Sequence, residues 1–193
     1  MKILVRLSGL MSVYKPTRFD LQDAINRTTE DLLDYDLRVL FCGINPGLYS
    51  GATGFHFARP GNRFWKVLHL AGFTDRQLDP SEEHELLALG YGITSLVGRT
   101  TASADELSKE EFAKGGQLLL RKIKKFHPHI LAVLGIGAYR AAFGVPRAKV
   151  GLQPETINET ETWLLPNPSG LNANYQIDAL VDLFKELRTA ASG

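Results

Sequence analysis

Four short, nearly continuous apolar runs constrain the fold of this chain more than any other feature. They occupy residues 38–43 (RVLFCG), 91–97 (YGITSLV), 130–134 (ILAVL) and 162–165 (TWLL). A strand with one face in water alternates apolar and polar residues. An unbroken run has both faces covered, as in a parallel sheet with helices on either side. The stretches between the runs carry helical spacing. Asn62 is placed to cap a helix bearing Phe64, Trp65, Val67, Leu68 and Leu70, which stops at Gly72. Ser81 opens another that ends at Gly90, and Ser108 with Glu111 makes a capping box ahead of Phe112, Leu119, Leu120 and Ile123. A last helix aligns Ile177, Leu180, Val181, Phe184 and Leu187 on one face. This alternation predicts an α/β fold, a three-layer α/β/α sandwich around a mainly parallel four-stranded sheet. One domain is expected over residues 38–193. Residues 1–37 form an amino-terminal extension, with an amphipathic helix over 19–35 and partial disorder over 1–18.

The length of 193 residues suits one such domain, and a charged fraction of 22% with 16 Phe and Tyr and two Trp excludes a disordered chain. No apolar run approaches the ~18 residues of a membrane span. The stretch MKILVRLSGLMSVY is not read as a secretory signal, because Arg6 interrupts its apolar part and no small-residue cleavage site follows. Translation from Met1 and from Met11 are both compatible with the sequence. Cys42 is the single cysteine, sits in an apolar run, and reads as a buried thiol. A cytoplasmic protein is expected. The net charge of +1 hides a gradient: residues 1–37 hold five basic and six acidic groups, 38–150 fifteen and nine, and 151–193 two and six. Two basic groups stand out, Arg121, Lys122, Lys124 and Lys125, and Arg59, Arg63 and Lys66. Such runs are ordinarily solvated helix faces, and the first reads equally as a partner surface.

Two of the apolar runs end alike. The first leads into Gly43-Ile44-Asn45-Pro46-Gly47 and the fourth into Pro166-Asn167-Pro168-Ser169-Gly170. Either loop alone is ordinary turn chemistry. Together, at the carboxyl ends of parallel strands, they mark where ligands bind in an open α/β sheet. Proline after each asparagine holds it out of the helical region. An asparagine amide carries an acceptor and two donors but takes up no proton, so it suits water positioning or recognition of a nucleobase edge. Phe55 and Phe57 flank His56 in the loop GATGFHFARPGN; an exposed aromatic there offers a surface on which a base stacks, while Phe55 reads rather as core. Gly135-Ile136-Gly137 lacks the third glycine of a dinucleotide fingerprint, since Arg140 stands there. His127-Pro128-His129 reads as a surface loop.

The segments GINPGLYSGATGFHFARPGNRFWKVLHLAGFTDRQL and LPNPSGLN closely resemble the mismatch-specific uracil-DNA glycosylases, in the thymine-DNA glycosylase branch of the uracil-DNA glycosylase superfamily. The likeness runs colinearly over about residues 38–188. It implies an α/β/α sandwich with no metal or cofactor, which flips uracil out of duplex DNA and hydrolyses its N-glycosidic bond, leaving an abasic site. On the matching positions it makes Asn45 the holder of the hydrolytic water and Asn167 a stabiliser of the departing base or of the water. It puts the uracil edge against Ile44, Gly47 and Ser50 and stacks the base on Phe57. It makes Leu171, with Gly170 and Asn172, the wedge and the contact to the opposite strand. Its partner is double-stranded DNA carrying uracil or mismatches, met by a monomer in the nucleoid.

The chain departs from the family at two places. Ser95 in ITSLV stands where members often have lysine, and Ala173 replaces a basic residue after the wedge, which weakens the expected reading of guanine opposite uracil. The first loop also lacks a carboxylate. Asp105, in TTASADEL, reads first as a first-turn helix acid at a positive dipole end, and it is also a candidate to assist the water. These departures motivate a second reading, a module that binds mismatched or damaged DNA with little catalysis.

Overall fold

The computed structural model describes residues 14–192; the expectations for residues 1–13, including the choice of start, lie outside them. Its strands are β1 (Val39–Gly43), β2 (Tyr91–Ser95), β3 (Ile130–Leu134), β4 (Gly151–Leu152) and β5 (Glu161–Leu165). The helices are α1 (Arg18–Asp23), α2 (Leu48–Thr53), α3 (Phe64–Leu70), α4 (Glu85–Ala88), α5 (Lys109–Phe126), α6 (Ile136–Phe143) and α7 (Ile177–Ala190). The strands lie in the order β2-β1-β3-β5-β4. The four strands read from the sequence are parallel to one another, and their registers bring Gly43 opposite Ser95 and Leu134 opposite Leu165.

The sheet has five strands, not four. The fifth, β4, is two residues long and pairs antiparallel with β5 at the sheet edge. Leu152 is exposed and Gly151 has φ 104°, so neither contributes to an apolar pattern that could announce a strand.

Alternate residues of each strand enter two separate cores, which is why the runs are apolar throughout. Val39, Phe41, Ile93, Ala132 and Leu165 pack with Phe64, Val67 and Leu68 of α3 and with Leu180, Phe184 and Leu187 of α7. Leu40, Cys42, Leu131, Val133 and Leu164 face the other way, onto Leu119 and Ile123 of α5 and Ala138 and Tyr139 of α6. Phe41, fully buried, meets Phe64 and Phe73 edge-on with ring centres 5.5 and 5.4 Å away.

Residues 19–35 do not form one helix. Only Arg18–Asp23 is helical, opened by a capping box between Thr17 and Asp20, and Asn26 turns the chain at φ 63°. The chain then runs along the outer edge of β2. Leu32 and Ile93 exchange backbone hydrogen bonds of 2.8 and 2.9 Å, and Thr28 bridges Arg99. Asp31 accepts the Thr94 hydroxyl at 2.6 Å and pairs with Lys122 at 2.5 Å. An edge strand offers unpaired N–H and C=O groups, and an extended segment satisfies them where a helix could not.

Other boundaries moved by a residue or two. Arg63, not Asn62, is the N-cap of α3; Asn62 stands one residue earlier, its Oδ1 still accepting from Phe64 N at 2.9 Å, while Ser108 and Glu111 form their capping box as expected. Asp79, not Ser81, caps the turn before α4, which is a single 3-10 turn over Pro80–Glu82. His127 occupies the left-handed cap of α5 at φ 50°.

Candidate functional site

The chain passes from β1 to β2 on one side and later reaches β3 on the other, so the strand order reverses between β1 and β3. Outside the carboxyl ends of these strands lies a cleft of about 410 Å³. The loops after β1, β2 and β5 all reach it, bringing Ile44, Asn45, Thr101, Asp105, Asn167 and Leu171 to one wall or another. β3 stands between β1 and β5, so the two asparagine loops converge across a strand and not as those of adjacent strands. A groove of about 510 Å³ continues the cleft past Gly135 and Ile136. Another cleft, of about 850 Å³, is at the opposite end of the sheet, against Arg38, Ile130 and Glu161 and the His127-Pro128-His129 segment, away from both asparagine loops.

Asn45 is held by its nitrogen. Nδ2 donates to Arg99 O at 3.0 Å and to Thr101 Oγ1 at 2.7 Å, and Thr101 in turn donates to Ser103 O at 2.8 Å. A backbone carbonyl only accepts, and a hydroxyl whose hydrogen is already donated can only accept too. The amide therefore has one orientation, and Oδ1 is left without a hydrogen bond to the described residues. Thr101 is fully buried.

Asn167 is held by its oxygen. Oδ1 accepts from Ser169 N at 3.0 Å, the turn that asparagine makes two residues ahead. Nδ2 is left without a hydrogen bond to the described residues. The main-chain carbonyl of Asn167 accepts from Asn172 Nδ2 at 3.0 Å, and Asn172 Oδ1 accepts from Asn174 N at 3.2 Å, so the Asn172 side chain ties its own loop together. One amide thus offers an acceptor and the other a donor.

Phe57 adopts φ 52°, a conformation few residues other than glycine take up, and its ring stacks on Phe64 with centres 4.0 Å apart. The residue before it is clamped on three sides. Glu83 Oε2 accepts from His56 N at 2.7 Å and lies 3.0 Å from His56 Nδ1, while Trp65 Nε1 donates to His56 O at 3.2 Å. His56 and Glu83 are both buried. Phe55, expected in the core, is only half-buried and belongs to neither cluster.

The remaining expected residues divide by place. Ile44, Gly47 and Ser50 line the cleft, and nothing lies within 4 Å of where a side chain at Gly47 would begin. Ser50 is buried and accepts from Ala58 N at 3.4 Å. Asp105 lies on the rim, exposed, in a 3-10 turn, with the Ser103 hydroxyl 3.2 Å from its carboxylate. Leu171, 72% exposed, stands at the cleft mouth. Gly170 does not line the cleft; a Cβ there would come within 2.5 Å of Gly61 O, so it is the contact between the two motif loops. Ser95 lines the cleft from the end of β2.

Sequence reasoning missed Thr101, Glu83 and the role of Arg63. Thr101 was open to inference, since it follows a parallel strand and the carboxyl ends of such strands form the site. Glu83 was not, because its contact with His56 spans 27 positions and has no local signature. Residues 30–188 match the sequence profile of the uracil DNA glycosylase superfamily. The fold is similar to the solution structure of a provisionally named uracil DNA glycosylase from Methanosarcina acetivorans, with a TM-score of 0.58 at 19% identity over 85% of this chain and 99% of that one.

Proposed function

The chain belongs to the uracil DNA glycosylase superfamily, and on that premise we propose that it removes uracil from duplex DNA, notably opposite guanine, as a monofunctional glycosylase. We place it in the mismatch-specific, thymine-DNA glycosylase branch on its GINPG and NPSGLN motifs. The observation that carries the reading is the pair of fixed amides in one cleft, Asn45 with a free acceptor and Asn167 with a free donor.

Rupture of the N-glycosidic bond sends its electron pair onto the base, which leaves as the uracil anion, while the sugar becomes oxocarbenium-like. A donor aimed at developing negative charge is worth ~10²–10³ in rate, and Asn167 Nδ2 is assigned that place. Asn45 Oδ1 accepts a hydrogen bond from the water and turns its lone pair toward the sugar carbon. As water adds, its proton passes to Asp105, the one carboxylate among the described residues lining the cleft. Phe57 provides the stacking surface, worth ~1–3 kcal/mol per base, and the backbone at Ile44, Gly47 and Ser50 the contacts to the base edge. Leu171, flanked by Gly170 and Asn172, fills the space left by the extruded nucleotide, which costs least to unpair at a mismatch.

A U:G oligonucleotide duplex, treated with alkali after incubation, tests this directly. Strand cleavage is expected from the wild type. Asn45→Ala should lower its rate by roughly 10²-fold or more, because the water is no longer placed. Asn167→Ala should lower it by ~10²–10³ and Asp105→Asn by ~10². Full activity of Asp105→Asn removes that residue from the mechanism. Tight binding of mismatched or abasic duplex with no product would instead favour a recognition module.

A further inference from the structure

Arg63 falls in the sequence beside Arg59 and Lys66, yet its half-buried guanidinium is turned onto main-chain carbonyls. Nη1 donates to Tyr175 O at 2.6 Å, Nη2 to Ser169 O at 2.8 Å and Asn172 O at 3.1 Å, and Nε to Pro168 O at 3.2 Å. Its backbone N–H also reaches Pro168 O, at 3.1 Å. Four of the five guanidinium N–H groups are therefore engaged by carbonyls of one loop, and no carboxylate among the described residues pairs with it. That loop, residues 166–176, has no regular secondary structure and carries Asn167 and Leu171. Gly170 packs against Gly61 two residues before Arg63, so the two motif loops meet backbone to backbone beside this hub.

Resting on the glycosylase reading, we propose that Arg63 is the positioning residue of the wedge: a half-buried cation whose fork gathers the carbonyls of residues 168–175 and holds Leu171 at the cleft mouth. Leu171 is 72% exposed and cannot hold itself by burial. A loop that must press into stacked bases needs to be rigid before it meets DNA, or it pays the ordering entropy on contact. Lysine cannot replace the fork, because one ammonium cannot span four carbonyls. Arg63 touches neither water nor base in this scheme and acts only through the loop.

Two measurements test the proposal. Hydrogen exchange compares wild type with Arg63→Lys and Arg63→Met. Amides of residues 169–175 should exchange faster in both variants while those of β1 and β3 keep their protection; unchanged loop exchange overturns the clamp whether or not the protein cleaves DNA. The second is a double-mutant cycle on U:G duplex cleavage. Arg63→Lys should lower the rate, by up to roughly 10²-fold if the tip moves by an ångström. Added to Leu171→Ala it should lower it no further than Leu171→Ala alone, since both changes remove the same wedge. Effects that multiply would overturn the proposal, because Arg63 would then act on chemistry or on the fold at large. A wild type that cleaves nothing refutes the functional reading, and the exchange arm still decides the clamp.

Discussion

Asn45 and Asn167 leave opposite ends of the same functional group free, and what decides each is a neighbour's hydrogen-bonding capacity. Thr101 has already donated its hydrogen, so it draws the nitrogen of Asn45; the Ser169 N–H draws the oxygen of Asn167. Type and position of both asparagines are legible in the sequence, and their orientation is not. The same contrast holds for Cys42. An apolar run announces a buried thiol, and the structure buries it fully, which pushes its pKa up to about 12. The thiolate, not the thiol, is the reactive form. The native protein should therefore leave a thiol-disulfide reagent uncoloured at pH 8 and release one equivalent only on denaturation. Fast reaction of the folded protein would contradict this burial.

At the scale of elements, α5 shows how packing overrides propensity. Gly115 and Gly116 sit inside an 18-residue helix, where replacing glycine by alanine usually gains ~1 kcal/mol. Here a Cβ at Gly115 would lie 2.3 Å from Leu96 O and one at Gly116 2.7 Å from Ala142 O. The glycines let α5 approach the end of β2 and α6. Gly115→Ala should consequently destabilise the fold, by about 1–3 kcal/mol as overpacking does, measured by urea denaturation. A stabilised variant would show the helix free to retreat. The opening turn of α5 also has an ionic partner. Arg99, whose carbonyl holds Asn45, donates to Glu111 at 2.6 Å. The Arg99 guanidinium and the Ser108 N–H hold the Glu111 carboxyl down at about 2, below its ordinary 4.5. A depressed folded-state pKa gives stability that is present above 4.5 and lost as pH falls toward 2. Wild type should therefore exceed Glu111→Gln in stability at neutral pH, with the gap closing over that acid window. A gap that is constant down to pH 2 would rule the pair out.

Over the whole molecule, charge counted along the chain differs from charge placed in space. The basic middle of the chain includes Arg121, Lys122, Lys124 and Lys125, but these lie in the second half of α5. Lys122 pairs with Asp31, Lys124 lines the cleft at the opposite end of the sheet, and Lys125 lies 4.7 Å from the Phe126 ring centre. Arg59, exposed at the cleft, is the placed cation, since Arg63 is occupied by carbonyls. DNA affinity should then fall only shallowly with salt, well short of the slope given by 6–10 phosphate contacts at ~0.9 each. Arg121→Glu with Lys125→Glu should leave duplex affinity nearly unchanged, and Arg59→Ala should weaken it and reduce the slope by about one. A steep slope that the α5 changes abolish would put DNA on that helix instead.

The sequence by itself determined which segments are core strands, that they are parallel, and which residue types stand at their carboxyl ends. Those are consequences of local apolar patterning and of two short motifs, and each is readable within a few residues. Only the tertiary structure decided the rest. It turned residues 24–35 from a helix into a cover for the β2 edge, because that edge had backbone groups to satisfy. It added β4, which has no core-facing side chain to betray it. It chose which end of each asparagine amide is free, set Glu83 behind His56, and turned Arg63 from a surface charge into the hub of a loop 105 positions away. All of these but the Asn167 amide, whose partner Ser169 is two residues on, depend on partners distant in sequence, and a hydrogen-bonding capacity already used elsewhere leaves no mark on the residue that must adjust to it.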